Sequence, residues 1–172
     1  MKIRVSELRR LIREAMVGDL ADDMYVEIDI EGGRAIQIAV RQAGKSKAHS
    51  PGVIRLERRV LPGGKVWEVV YSAAKSGYGP MLYDLAMEFV GGRLGDLGIT
   101  PDRSMVSDEA HGVWGYYLSS RPDVKKEELP HELFPGVDDR PEALRYYYYK
   151  INSPMLDGYV ARGLVRSDSF DF

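Results

Sequence analysis

Hydrophobic residues recur with a period of two through much of the first half of the chain. The stretch MYVEIDIEGGRAIQIAVRQ, residues 24–42, alternates apolar and polar positions on either side of Gly32-Gly33 and predicts a β-hairpin. The runs VIRLERRV and VWEVVYSA flank the turn LPGGK and predict a second hairpin. Four strands joined in this way indicate an antiparallel meander.

The segment before the first hairpin has a helical period instead. In residues 1–18 the apolar positions form one stripe of a helix, and arginines occupy its other faces. The stripe consists of Val5, Leu8, Leu11, Ile12, Ala15 and Met16. Packing on its own domain is our preferred interpretation of this basic amphipathic helix, and a partner groove or a membrane surface are the alternatives.

The helical period returns after the second hairpin. A helix is predicted from Pro80 to the Gly-Gly pair at 91–92, then a brief strand in LGITPD, then a second helix capped by Ser107. Residues 121–143 are polar, acidic and proline-containing, which predicts a long surface loop. ALRYYYYKI follows as a strand and SPMLDGYVARG as a short helix, and we expect the tail VRSDSFDF to be loose.

This order of elements predicts a mixed α/β (α+β) fold, with a mostly antiparallel central sheet and helices on both of its faces. The length of 172 residues favours a single domain over residues 19–172, preceded by the amphipathic helix of residues 1–18.

The composition excludes several kinds of site and partner. A net charge of −2, with lysines and arginines spread along the chain, argues against nucleic-acid binding. The lack of cysteine removes disulfides, thiolate metal ligands and a cysteine nucleophile, and the three histidines lie in unrelated contexts, so we expect no metal site. The apolar runs are too short to span a membrane and the start does not resemble a signal peptide, so we expect a cytoplasmic protein.

Two glycines lie one residue apart where the fourth predicted strand gives way to a helix, in the segment AKSGYG, residues 74–79. By themselves Gly77 and Gly79 favour a sharp turn, and a cradle for a phosphate is the alternative. The cradle has a physical basis, because the first N–H groups of a helix lack partners and carry partial positive charge. Lys75 would add a full charge beside such a ligand.

The meander, the Gly-x-Gly helix start and the following strand and helix resemble the GNAT acyltransferases over residues 24–120. The phosphate loop of that family begins with Arg or Gln, whereas this chain has Ala74 at that position. The resemblance implies that acetyl-CoA is the cofactor, that its acyl arm lies between the fourth and fifth strands, and that its acetyl group passes to a small-molecule or protein amine by direct attack. The cofactor-binding residues implied are Val70, Ser72, Lys75, Ser76, Gly77, Tyr78, Gly79 and Met81.

Direct transfer needs a base for the amine and an acid for the leaving thiolate. The resemblance suggests Glu68 as the base, with a solvent-facing strand residue as the alternative, and Asp102 as the second candidate, with a turn-forming aspartate as the alternative. Trp114 stands where many members of the family have the acidic tyrosine, and indole cannot supply that proton. Tyr117, on the same helical face, is then the candidate acid, and an ordinary core tyrosine is the alternative.

The segment TPDRSMVSDEAHGVWGYYL and the first residues also resemble proteins of tailed phages and prophages. A second hypothesis is therefore a catalytically inactive GNAT-like interaction protein, docked on a partner protein through residues 1–18. We expect a monomer or a homodimer under either hypothesis.

Overall fold

Eight strands form one sheet in the computed structural model, which describes residues 20–75, 77–132, 134 and 136–172. The strands are β1 (Met24–Glu31), β2 (Ala35–Gln42), β3 (Gly52–Leu61), β4 (Gly64–Ala74), β5 (Gly98–Pro101), β6 (Val124–Glu128), β7 (Tyr146–Lys150) and β8 (Val165–Arg166). The α-helices are α1 (Tyr78–Met87), α2 (Asp108–Ser120) and α3 (Pro154–Ala161). The strand order is β6-β7-β5-β4-β3-β2-β1-β8.

The sheet is mostly antiparallel, as the sequence predicts. Both predicted hairpins are present as β1–β2 and β3–β4, and β7 pairs antiparallel with β5 and β6. The β4–β5 and β1–β8 pairs are parallel. The protein therefore has a mixed α/β fold whose first four strands form the expected meander.

The three helices predicted after the second hairpin are present, with differences at their ends. Helix α1 begins at Tyr78 and continues as a π-helix, Glu88–Arg93, through the Gly-Gly pair that was expected to end it. The Ser107 hydroxyl accepts a bond from the Ala110 N–H at 3.3 Å and caps α2, as predicted. Ser153 precedes α3 but donates its hydroxyl to the Glu88 carbonyl oxygen instead of capping that helix.

The core consists of two clusters on opposite faces of the sheet. The larger cluster joins alternate side chains of the central strands to buried residues of all three α-helices. The smaller cluster contains Leu61, Val66, Leu129, Phe134, Val137 and Tyr147. Helices on both faces were predicted, yet the α-helices of the described residues all join the larger cluster. The predicted helix of residues 1–18 lies outside the described residues.

Two segments expected to be a surface loop and a loose tail each contain a paired strand and a packed aromatic residue, so those predictions are wrong for these parts. Within residues 121–143, β6 pairs with β7 along its full length and Phe134 is buried. In the tail, β8 pairs with β1, and Phe170 packs on Phe89 with ring centroids 5.3 Å apart. The charged sequence VKKEE forms a strand because β6 lies at one edge of the sheet. Its backbone pairs with β7 there, and its charged side chains remain exposed.

Candidate functional site

A cleft opens where β4 and β5 separate. Their parallel pairing runs from Val66 and Gly98 to Val69 and Pro101, and β4 then continues to Ala74 paired with β3 but no longer with β5. At the same point the register between β3 and β4 shifts, which leaves Val70 as an extra residue on β4. Such a bulge bends a strand and changes the direction of the side chains beyond it. The bulge and the end of pairing together create the gap.

The cleft has a volume of about 500 Å³ and lies on the face of the sheet that carries the helices. Residues 69–72 of β4 form one wall, and residues 105–108 with the first half of α2 form the other. Tyr83 of α1 and Trp114 of α2 lie at its base, with ring centroids 5.2 Å apart in an edge-to-face arrangement. Two of the predicted cofactor residues, Val70 and Ser72, are thus brought into one cleft with Asp102.

Tyr83 is the titratable group at the base of the cleft, and sequence reasoning missed it. Its hydroxyl lies 3.0 Å from the Ser72 hydroxyl, and its side chain is almost fully buried. Burial raises the pKa of Tyr83, against the opposing effect of the bond to Ser72. The phenol therefore keeps its proton at neutral pH.

Asp102 lies at the mouth of the cleft in a tight turn. Its Oδ1 accepts bonds from the Ser104 N–H, the Ser104 hydroxyl and the Met105 N–H, at 2.6, 2.7 and 3.0 Å. Burial opposes ionisation, but these bonds and the nearby Arg140 outweigh it and hold the pKa of Asp102 below its ordinary value. Asp102 is therefore a stable carboxylate and a weak base, and the turn-forming role expected as its alternative is present.

Glu68 lies on the opposite face of the sheet from the cleft. Its neighbour Val69 is on the helix-covered face, whereas the Glu68 carboxylate accepts bonds from Arg59 Nε at 2.5 Å and from the Arg103 N–H at 2.7 Å. The structure thus places Glu68 outside the cleft that holds Val70, Ser72 and Asp102. The alternative, a strand residue facing solvent, is also wrong, because Glu68 is 3% exposed.

Tyr117 is a core residue and does not line the cleft. Its hydroxyl donates toward the Pro80 carbonyl oxygen at 3.1 Å and the Asp84 carboxylate at 3.3 Å. Complete burial and the Asp84 charge raise the pKa of Tyr117 well above its ordinary value. The core-tyrosine alternative is confirmed.

The Gly-x-Gly segment forms the start of α1 as expected. Gly77 precedes the helix with φ of 93°, a conformation that favours glycine, and the space where side chains would extend from Gly77 and Gly79 is open. The Tyr78 N–H bonds to the Lys75 carbonyl oxygen at 3.1 Å, so Tyr78 does not offer a free donor. The Lys75 N–H likewise donates to the Pro51 carbonyl oxygen, at 2.8 Å.

The other residues predicted to bind the cofactor at this loop do not all lie where a ligand could reach them. Met81 is 2% exposed, with its side chain in the core. Ser76 lies outside the described residues. Gly79, in the first helical turn, belongs to the part of a helix whose N–H groups lack helical acceptors. This helix start and an exposed Lys75 lie at the end of the strand that lines the cleft.

A group of buried charges was also missed. Asp84 lies in α1 and Glu88 in its π-helical extension. Asp84 forms ion pairs with Arg121, directly after α2, and with Lys150, the last residue of β7, and Glu88 forms an ion pair with Lys150. The sequence contains a signal for it, since Asp84 and Glu88 are four residues apart within an otherwise apolar run from Met81 to Val90. Two carboxylates on one helical face in such a run indicate buried charges that need cationic partners.

No known family model matches the chain, and no curated protein matches it either. Among the described residues, no group of acidic or histidine side chains is arranged to hold a metal ion. Within the same part of the chain, no helix has the length and apolar character needed to cross a membrane.

Proposed function

We propose that the protein binds acetyl-CoA in the cleft beside β4 and transfers the acetyl group to an amine by direct attack, as the GNAT resemblance implies. The observation that carries this proposal is the cleft itself. It opens at the bulge of β4, contains Val70, Ser72 and Asp102, and lies next to a helix that begins at Tyr78, directly after Gly77. These elements follow one another in the order from which the resemblance was drawn.

Residues 69–72 would hold the acyl arm of the cofactor. Beyond Val69 the β5 side of β4 has no strand partner among the described residues, which leaves backbone groups of β4 for an extended ligand. The N–H of Gly79 and the ammonium of Lys75 would bind the pyrophosphate at the start of α1. The open space beside Gly77 and Gly79 permits a close approach of the anion.

Acetyl-CoA would supply a thioester as the acyl donor. In our proposal Tyr83 replaces Tyr117 as the acid, because its hydroxyl is protonated and lines the cleft beside Ser72. Asp102 attracts the cationic amine to the mouth of the cleft, and its low pKa leaves the removal of the amine proton to water. Glu68 has no direct part, since it bonds to Arg59 and Arg103 on the other face.

Calorimetric titration of the full chain with acetyl-CoA tests the binding step. We expect the double variant Gly77→Val and Gly79→Val to weaken binding at least about ten-fold, because the side chains would fill the space offered to the pyrophosphate. Gly163→Val is the matched control, since Gly163 also has a positive φ and open surroundings but follows α3. No binding at millimolar acetyl-CoA, or equal affinity of the double variant in a folded protein, would contradict the proposal.

A second candidate function is a GNAT-like interaction protein of phage or prophage type, without transfer activity. It is favoured by Trp114 at the base of the cleft and by Tyr117, whose hydroxyl is bonded inside the core. In this case residues 1–18 would dock on a partner protein. Thiol release from acetyl-CoA with a panel of amines separates the candidates, because binding without release for any amine supports the second. Both place the protein in the cytoplasm as a monomer or homodimer.

A further inference from the structure

A second concave region, which we call the α2–α3 pocket, lies between the end of α2, the end of β7 and α3. Its volume is about 600 Å³, which suits a small organic ligand. Tyr116, Pro122, Met155 and Tyr159 provide apolar walls. The cleft beside β4 uses the first half of α2, whereas this pocket uses the second half, so the two are separate sites.

The floor of the α2–α3 pocket contains paired charges whose N–H donors are already used. Lys150 Nζ lies 2.5 Å from Glu88 Oε1 and 3.4 Å from Asp84 Oδ1. Arg121 donates to both oxygens of Asp84, at 3.0 and 2.8 Å, and to both oxygens of Asp123, at 2.7 and 2.6 Å. An anionic ligand at the floor would have to compete with these carboxylates for the same donors.

The carboxylate of Asp123, in contrast, has acceptor capacity to spare. Each of its oxygens accepts one bond from Arg121, and Oδ2 also lies 3.6 Å from Lys150 Nζ, whereas a carboxylate can accept about four bonds in total. The Asp123 side chain is 47% exposed and lines the pocket. The rings of Tyr116 and Tyr159 line it as well, and aromatic faces attract cations. Spare acceptors beside aromatic walls fit a ligand that donates hydrogen bonds and carries positive charge.

We propose that the α2–α3 pocket binds a small organic amine, whose ammonium group bonds to Asp123 and whose apolar body lies against Tyr116 and Met155. This site is independent of acetyl transfer and needs no acetyl-CoA. Arg162, directly after α3, also lines the pocket and would favour an anion instead, so the sign of the ligand charge is the decisive measurement.

The test uses three probes that share a phenyl ring and a short chain: phenethylammonium, 3-phenylpropionate and 2-phenylethanol. Each is titrated into the full chain without acetyl-CoA and followed by ¹H–¹⁵N NMR shifts. We expect phenethylammonium to bind at least about ten-fold more tightly than the other two, because it alone adds a charge-assisted hydrogen bond. The shifts should be centred on residues 116–123 and 154–159.

Asp123→Asn should lower the affinity for phenethylammonium about ten-fold, since it removes the charge that receives the ammonium. Asp157→Asn is the matched control, because Asp157 is an exposed residue of α3 that pairs with Arg93 outside the pocket. Tighter binding of 3-phenylpropionate, no binding of the amine at millimolar concentration, or unchanged affinity in Asp123→Asn would each overturn the proposal. None of these results depends on whether the protein binds acetyl-CoA.

Discussion

The cleft beside β4 and the α2–α3 pocket use opposite halves of the same helix, yet they hold their polar groups differently. In the cleft, Asp102 bonds to groups two and three residues away, and the Ser72–Tyr83 pair is a single hydrogen bond. Beneath the pocket, Asp84, Arg121 and Lys150 connect α1, the end of α2 and β7. The first arrangement is local, and the second joins distant parts of the chain.

This difference separates the groups that stabilise the fold from those available for binding. Charges buried together stabilise a protein only while all partners are present, because an unpaired buried charge is very costly. Polar groups beside a cleft can be removed at little cost, since water replaces them. We therefore expect substitutions beneath the pocket to affect stability strongly, and substitutions in the cleft to affect it weakly.

Lys150→Met should have the largest effect on stability. The Lys150 side chain is 7% exposed, and its loss leaves Glu88 buried without its cation. We expect the free energy of unfolding in urea to fall by about 3–5 kcal/mol, the usual cost of breaking a buried ion pair. Lys125→Met on the exposed face of β6 is the control and should change it by less than about 0.5 kcal/mol.

The cause of that loss can be isolated with Glu88. Adding Glu88→Gln to Lys150→Met removes the uncompensated carboxylate and should restore part of the stability. A loss below about 1 kcal/mol in Lys150→Met, or no recovery in the double variant, would show that the buried charges do not hold the three elements together.

Glu68→Ala should have an intermediate effect and also disturb the cleft. Glu68 bonds the Arg103 N–H from the far face of the sheet, and Arg103 follows Asp102 directly. We expect a loss of about 1–3 kcal/mol, the cost of leaving a partly buried donor without its acceptor. Hydrogen exchange at residues 102–106 should accelerate, whereas Glu68→Gln retains an acceptor oxygen and should preserve protection. Equal exchange in wild type and Glu68→Ala would exclude this positioning role.

Most of the sheet was predictable because local patterns determine it. Alternation around Gly32-Gly33 identified β1 and β2, and Ser107 identified the start of α2. The strand β6 was missed because its charged sequence lacks the alternation of apolar and polar residues, and the strand forms by pairing with β7, which is distant in sequence. The ordered tail was missed for the same reason, since Phe170 gains its partner Phe89 only in the folded chain.

Only part of the candidate site was predictable, namely Val70, Ser72 and Asp102. Val70 and Ser72 were found from their place on β4, but which face Glu68 occupies depends on the strand register and the bulge. Tyr83 reaches the cleft because α1 crosses the sheet beside β4, a contact between distant residues. The buried pair of Asp84 and Glu88 was visible in the sequence, whereas Arg121 and Lys150 could be assigned to it only from the fold.

Tyr83→Phe should change the free energy of unfolding little and should lower the rate of acetyl transfer strongly. The lost hydrogen bond to Ser72 is worth about 0.5–1.5 kcal/mol, and Ser72 is exposed enough to bond to water instead. We expect unchanged affinity for acetyl-CoA and a rate of amine-dependent thiol release lower by about 100-fold. Tyr71→Phe, an exposed tyrosine on the same strand wall, is the control. An unchanged rate in Tyr83→Phe would remove Tyr83 from the mechanism.

The smallest expected effect is the acid dependence that Asp123 contributes. The bonds from Arg121 lower the pKa of Asp123 to about 2, below its ordinary value near 3.8. A carboxylate with a lowered pKa stabilises the folded protein fully above pH of about 4, and this contribution disappears as the pH falls toward 2.

Because the Asp123 side chain is 47% exposed, solvent screening keeps the effect below about 1 kcal/mol. The stability difference between wild type and Asp123→Asn, from urea unfolding at pH 6 and pH 3, should therefore shrink at the lower pH. In Asp102→Asn, the cleft counterpart, the change should be smaller, because the bonds to the Asp102 carboxylate come from residues only two and three positions away. A larger acid effect for Asp102 would reverse the distinction between a locally held cleft and a pocket whose charges connect the fold.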